Sequence, residues 1–157
     1  MRRNVMQIVA LVIVGSVIGF AFNALSPMGI SLKPKKKAEV LEDNNIQVVS
    51  LDEVRYFLER PDTIIVDARS PEEYSLGHIP EALNIPADEF DRVWEAQRER
   101  FEEAGLVICY CSGSSCGSSD EVAELLQERG IEKVAVFMDG IPAWLKAKLP
   151  IQNGSEP

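Results

Sequence analysis

Two short runs, Thr63-Ile64-Ile65-Val66-Asp67 and Leu106-Val107-Ile108-Cys109-Tyr110, are apolar almost without interruption. A strand of this kind has no polar face to offer water, so it must be covered on both sides. Amphipathic segments separate the runs. Ser50 opens one helix, with Glu53 placed for a capping box and Leu51, Val54, Phe57 and Leu58 on one face. Ser70 and Pro71 open a short helix that Gly77 ends. Residues 87–104 form a charged helix with Phe90, Val93, Trp94 and Phe101 inward, stopped by Gly105. Ser118 and Glu121 offer a second capping box for a helix over 120–129, and a last helix over 141–148 carries Trp144. Shorter strands are expected at 46–49, 82–85 and 133–137. Strands alternating with helices predict an α/β domain: a central, mostly parallel sheet with helices on both faces, three layers in all. In such folds sites form beyond the carboxyl ends of the strands. Asp67-Ala68-Arg69 and the segment Cys111–Gly117 both lie there.

The chain has 157 residues, and its charge is divided. Residues 1–37 hold six basic residues and no acidic ones, leaving ten basic and 25 acidic residues in the rest. So acidic a body excludes nucleic acid as a partner, because phosphate contacts need clustered Lys and Arg.

Residues 5–25 form 21 consecutive uncharged positions. A helix of that length spans roughly 31 Å, the thickness of a bilayer core. The expectation is a retained, single-pass transmembrane anchor over residues 1–25. A cleaved signal peptide fits less well, because the apolar run is long and no A-x-A site follows it. Arg2 and Arg3 on one flank nearly balance Lys33, Lys35, Lys36 and Lys37 on the other, so the side of the soluble domain is undecided. Gly15 and Gly19 form a G-x-x-x-G pair through which two such helices would meet in a weak homodimer. Residues 26–45 read as a linker, 46–150 as the folded domain, and 151–157 as a tail.

Cys109, Cys111 and Cys116 lie within eight residues. A disulfide framework would scatter its cysteines, so the cluster points to a local reactive site. Ser112, Gly113, Ser114, Ser115, Cys116 and Gly117 link the buried strand to a helix N-terminus. Small residues let the backbone curl and turn its N–H groups inward as an anion cradle. The helix N-terminus adds partial positive charge. Such a cradle should favour the Cys111 thiolate, the reactive form. Cys109, mid-strand, reads as a small core residue.

Four ordered stretches resemble the rhodanese-like sulfurtransferase family. Residues 66–74 resemble its D-x-R-x-x-x-E-[FY] segment, and residues 77–86 its G-H-I-P-G-A-x-N-[IL]-P signature. Tyr110-Cys111 is similar to the strand-end Y-C that begins the family's active-site loop. Asp139-Gly140-Ile141-Pro142-Ala143-Trp144 is similar to its G-G-[IWF]-x-A-W ending. The resemblance covers residues 46–150 and implies that Cys111 is the catalytic nucleophile. It would accept sulfane sulfur as a persulfide from a small donor and pass it to a thiol or other nucleophile. It also implies that no metal or organic cofactor is required, that Asp67 and Arg69 support the loop, and that His78 belongs to a structural turn.

Two departures leave alternatives open. The common loop is C-x-x-G-x-R, whereas this one is about two residues longer and contains no Arg or Lys. The related phosphatase variant needs C-x5-R, and Gly117 occupies that Arg position. Cys116 adds a C-x4-C spacing in which it would serve as a resolving thiol or remain a spectator. The readings are therefore a membrane-anchored sulfurtransferase, a catalytically weak binding module, or a thiol–disulfide module using Cys111 and Cys116. Three crowded cysteines and one distant His argue against zinc.

Overall fold

A computed structural model describes Met6, Gln7 and residues 46–154. The expected anchor, its Gly15–Gly19 contact and the linker lie outside the described residues, apart from Met6 and Gln7. Among the described residues no helix is long and apolar enough to cross a membrane.

Among the described residues five strands form one sheet: β1 (Gln47–Val48), β2 (Thr63–Asp67), β3 (Leu83–Asn84), β4 (Leu106–Tyr110) and β5 (Val134–Phe137). Their spatial order is β1-β5-β4-β2-β3, and every pairing is parallel. The helices are α1 (Leu51–Leu58), α2 (Pro71–Leu76), α3 (Phe90–Glu102), α4 (Ser118–Glu128) and α5 (Gly140–Lys146).

Alternation along the strands divides the core in two. Ile64, Val66, Val107, Cys109, Val134 and Val136 face Phe90, Trp94 and Phe101 of α3 and Val122, Ala123 and Leu126 of α4. Ile65, Ile108, Tyr110, Ala135 and Phe137 face Val54 of α1, Tyr74 of α2, and Ile141 and Trp144 of α5. Burial on both faces is why the strands read as continuous apolar runs. Cys109 is fully buried in the first cluster, and Trp94 and Trp144 are buried as expected.

The capping box at Ser50 and Glu53 forms as read. The second does not: Gly117 stands at the N-cap of α4, without a side-chain capping bond, and Ser118 is the first helical residue. The Ser118 hydroxyl that would have capped lies against Cys116 instead, and the hydroxyl of Ser119 lies against Cys111. The charged helix is also shorter than expected, because residues Ala87–Glu89 form a 3-10 turn before α3 begins. Beyond α5, Gln152 and His78 exchange backbone hydrogen bonds at 2.9 and 3.0 Å.

The strand order fixes where a site can form. After β2 the chain turns toward β3, and after β4 it turns the other way, toward β5. The connections therefore diverge at the carboxyl ends of β2 and β4, and a crevice opens between them. Arg69 leaves one strand there and Cys111 leaves the other.

Candidate active-site loop at the end of the central strand

Cys111 is the first residue beyond β4 and is 1% exposed. Its carbonyl accepts the Ile141 N–H at 3.0 Å. The chain then turns through Gly113, whose φ is +115°. Cys116 donates its N–H to the Gly113 carbonyl at 2.9 Å, which closes the turn over Ser114 and Ser115. Ser112, Ser114, Ser115 and Gly117 are exposed, Gly113 is buried, and Cys116 is partly exposed. Outside the turn, Ser112 Oγ donates to Glu73 Oε1 of α2 at 3.1 Å.

Gly140 holds the loop from beneath. Its φ is +59°, and a Cβ at this position would lie 2.2 Å from the Cys111 carbonyl oxygen and 2.9 Å from the Gly113 nitrogen. Only glycine permits this approach. The glycine of the Asp139–Trp144 motif thus shapes the cysteine loop through backbone contact.

A buried polar network braces the strand ends. Asp67 is fully buried and Arg69 is 8% exposed. Arg69 Nη2 lies 2.5 Å from Asp67 Oδ2, and its Nε 3.0 Å from Oδ1. The Tyr110 hydroxyl donates to Asp67 Oδ2 at 2.6 Å and accepts the Ile79 N–H at 3.0 Å. Arg69 also donates to the carbonyls of Glu73 and Gly77, while Asn84 Nδ2 donates to those of Asp67 and Arg69. Burying this ion pair is costly, but each group finds several partners, which is the condition for tolerating it. Asp67 and Arg69 therefore pair, and they reach the loop through Tyr110, the residue before Cys111. The Arg69 guanidinium is committed to Asp67 and two carbonyls. His78 is fully buried, stacks on Tyr74 with ring centroids 3.7 Å apart, and places Nδ1 2.9 Å from the Tyr74 carbonyl. It sits in a packed turn, as expected.

The three thiols differ sharply, and none is in a disulfide. Burial drives the Cys109 pKa far up. Cys111 Sγ lies 3.3 Å from the Ser119 hydroxyl and 3.7 Å from the Gly113 carbonyl oxygen. Burial raises the Cys111 pKa, and its hydrogen bond to Cys116 raises it further, with Ser119 and the Gly113 backbone opposing. Burial also opposes the Cys116 thiolate, but hydrogen bonds from Cys111, Ser118 and the Ser112 backbone outweigh it and hold Cys116 below the ordinary thiol range. The expectation of a cradle that favours the Cys111 thiolate is thus corrected: burial pushes the Cys111 pKa up, while hydrogen bonds at the rim push that of Cys116 down. The physical reason is depth, since Cys111 sits at the buried strand end and Cys116 at the rim.

Beside the loop is a cavity of about 560 Å³ bordered by Ala68 and Ser118. Glu72, Asp88, Glu89 and Glu121 line it, and among the described residues no Lys or Arg does. A second cavity, of about 470 Å³, lies among Asp62, Thr63 and Leu106 at the opposite ends of the strands, away from the cysteines. The sequence reading missed Ser119, which is fully buried against Cys111, and it missed the supports Tyr110 and Gly140. The residue directly before the cysteine and the glycine of the last motif were the available signals for two of these.

Comparison with known proteins agrees with this geometry. The family model described as Rhodanese-like domain matches residues 50–147. The HTH-type transcriptional regulator Rv0324 of Mycobacterium tuberculosis is 35% identical over 98 residues, 62% of this chain and 41% of the regulator. The chain thus spans about two-fifths of that relative's length. A thiosulfate sulfurtransferase from Pseudomonas aeruginosa is similar in structure at 27% identity and a TM-score of 0.56, over 73% of this chain and 22% of that one. The BH2092 protein of Bacillus halodurans shares the fold at 21% identity and a TM-score of 0.63, over 79% of this chain and 89% of its own.

Proposed function

Because this chain belongs to the rhodanese-like domain family, we propose that it is a sulfurtransferase that carries sulfane sulfur as a persulfide on Cys111. The observation that carries the reading is the position of Cys111 at the carboxyl end of the central strand, in the crevice where the chain direction switches. A donor of the form R–S–SH yields its outer sulfur to the Cys111 thiolate, and R–S⁻ leaves. A thiol acceptor then takes the sulfur and returns Cys111 to its resting state. Loading begins with loss of the Cys111 proton, which the departing R–S⁻ takes up, while the Ser119 hydroxyl at 3.3 Å hydrogen-bonds the sulfur. Residues 112–117 form the wall that receives the anionic sulfur.

The uncharged run over residues 5–25 supports a membrane anchor for this activity. Gly15 and Gly19 provide the close-approach motif for a weak dimer of that segment. A second reading, a binding module with little turnover, is favoured by one observation: the loop holds no Arg or Lys and the adjoining cavity is acidic.

The deciding experiment mixes the full chain with thiosulfate or glutathione persulfide and weighs it intact. Gain of one sulfur atom by the wild type and not by Cys111→Ser supports the transferase. A folded chain that gains no sulfur from either donor establishes the binding module in its place.

A further inference from the structure

Cys111 Sγ lies 3.7 Å from the Gly113 carbonyl oxygen, and the Cys116 N–H donates to that same oxygen at 2.9 Å, so the two cysteines meet at one backbone group. The turn from Gly113 to Cys116 brings them together, with φ of +115° at Gly113 and the Cys116 amide on the Gly113 carbonyl. Their access differs: Cys111 is 1% exposed, whereas Cys116 stands partly exposed at the rim. Cys116 Sγ lies 3.5 Å from the hydroxyl of Ser118, the first residue of α4. The loop therefore sets an accessible nucleophile beside the sulfur of a buried one.

Resting on the reading of Cys111 as the sulfur carrier, we propose that Cys116 is a second nucleophile that discharges the Cys111 persulfide inside the loop. The Cys116 thiolate attacks Cys111 Sγ. A bond forms between the two cysteine sulfurs, and the bond from Cys111 Sγ to the sulfane sulfur breaks. The outer sulfur takes that electron pair and leaves as hydrosulfide, keeping the persulfide proton. The sulfane sulfur is reduced, and the two cysteines are oxidised together to a disulfide. A small dithiol reductant reopens the disulfide by exchange and is itself oxidised to its cyclic disulfide. The substrate class follows from this balance: an organic persulfide as donor, a dithiol as reductant, and free hydrosulfide as product. The turn on the Gly113 carbonyl sets Cys116 beside Cys111 for the attack. Hydrogen bonds from Cys111, Ser118 and the Ser112 backbone favour the Cys116 thiolate.

The test loads the full chain with a limiting amount of glutathione persulfide, without reductant. Intact mass and released hydrosulfide are followed in wild type, Cys116→Ser, Cys116→Ala and Cys111→Ser. Wild type should gain one sulfur, then convert to a species two hydrogens lighter than the starting protein as hydrosulfide appears. Peptide mapping should place the new disulfide between Cys111 and Cys116. Both Cys116 variants should keep the added sulfur and release hydrosulfide at least ~10-fold more slowly, because the attacking thiol is gone. Hydrosulfide release from the Cys116 variants at the wild-type rate overturns the inference. So does a wild type that holds its sulfur without losing two hydrogens. No sulfur on wild type or on the Cys116 variants overturns the Cys111 reading itself, and this inference with it.

Discussion

The Ile141 N–H donates to the Cys111 carbonyl at 3.0 Å, so the first turn of α5 is stitched to the end of β4. Gly140 makes the contact possible by presenting bare backbone to the cysteine loop. A Gly140→Ala variant places a methyl group against the Cys111 carbonyl and forces a left-handed backbone on alanine. It should lose more than about 1 kcal/mol of stability, read by urea denaturation. Its Cys111 should also load sulfur more slowly, because relief of the clash moves the loop. A Gly113→Ala variant places its methyl group only at ordinary van der Waals distance, 3.7 Å, from the Asp139 carbonyl and the Pro142 ring. It should show the backbone cost without the clash, and so the smaller loss.

The Asp67–Arg69 pair is buried, and each member satisfies the other. Arg69→Met leaves the Asp67 carboxylate with the Tyr110 hydroxyl as its remaining side-chain donor. It should cost about 3–5 kcal/mol in equilibrium unfolding. Tyr110→Phe leaves the Ile79 N–H without its acceptor and should cost about 1–3 kcal/mol. Neither change touches the thiols directly, so any persulfide formed by the surviving folded fraction should still require Cys111.

Thiol reactivity should follow depth along the loop. Cys116, held below the ordinary thiol range, has more thiolate at neutral pH and should be alkylated by iodoacetamide with a midpoint below that of free cysteine, about 8.5. Cys109, raised by burial, should resist alkylation until the protein unfolds. Cys109 also sets an alkaline limit on stability. Above the thiol pKa of the unfolded chain, that chain releases a proton which the folded chain retains. Unfolding is then favoured as pH rises, by up to about 1.4 kcal/mol per pH unit for this one group. The stabilisation is fully present below that pKa and is lost above it. Site-resolved alkylation and urea midpoints from neutral to alkaline pH check both statements.

Donor choice should reflect charge. Thiosulfate is a dianion, and it meets an acidic cavity and a loop without cationic side chains. Cysteamine persulfide, which carries an ammonium and no carboxylate, should load Cys111 faster, and added salt should narrow the gap by screening the rim carboxylates. Gly117 has a φ of −101°, and a Cβ there meets nothing within 4 Å. A Gly117→Arg variant should therefore fold normally and raise the thiosulfate loading rate several-fold. It also completes the C-x5-R spacing, so aryl phosphate hydrolysis measured beside it shows whether the added cation alone brings phosphatase chemistry.

The sequence by itself determined the layered fold. Apolar runs at 63–67 and 106–110 demanded cover on both faces, and the Ser50 cap and the glycine stops at 77 and 105 marked helix ends through local chemistry. It also determined Cys111 at a strand end and the Asp67–Arg69 pair two residues apart, because those relations follow from short spacing. Only the tertiary structure decided the direction in which each thiol pKa moves. That depends on burial and on partners brought from α4, which no spacing reveals. It likewise decided that the Ser118 hydroxyl turns to Cys116 rather than capping the helix, since the two uses compete for the same group. The role of Gly140 came from the fold as well, because a backbone approach between residues nearly thirty positions apart exists only once β4, β5 and α5 are packed.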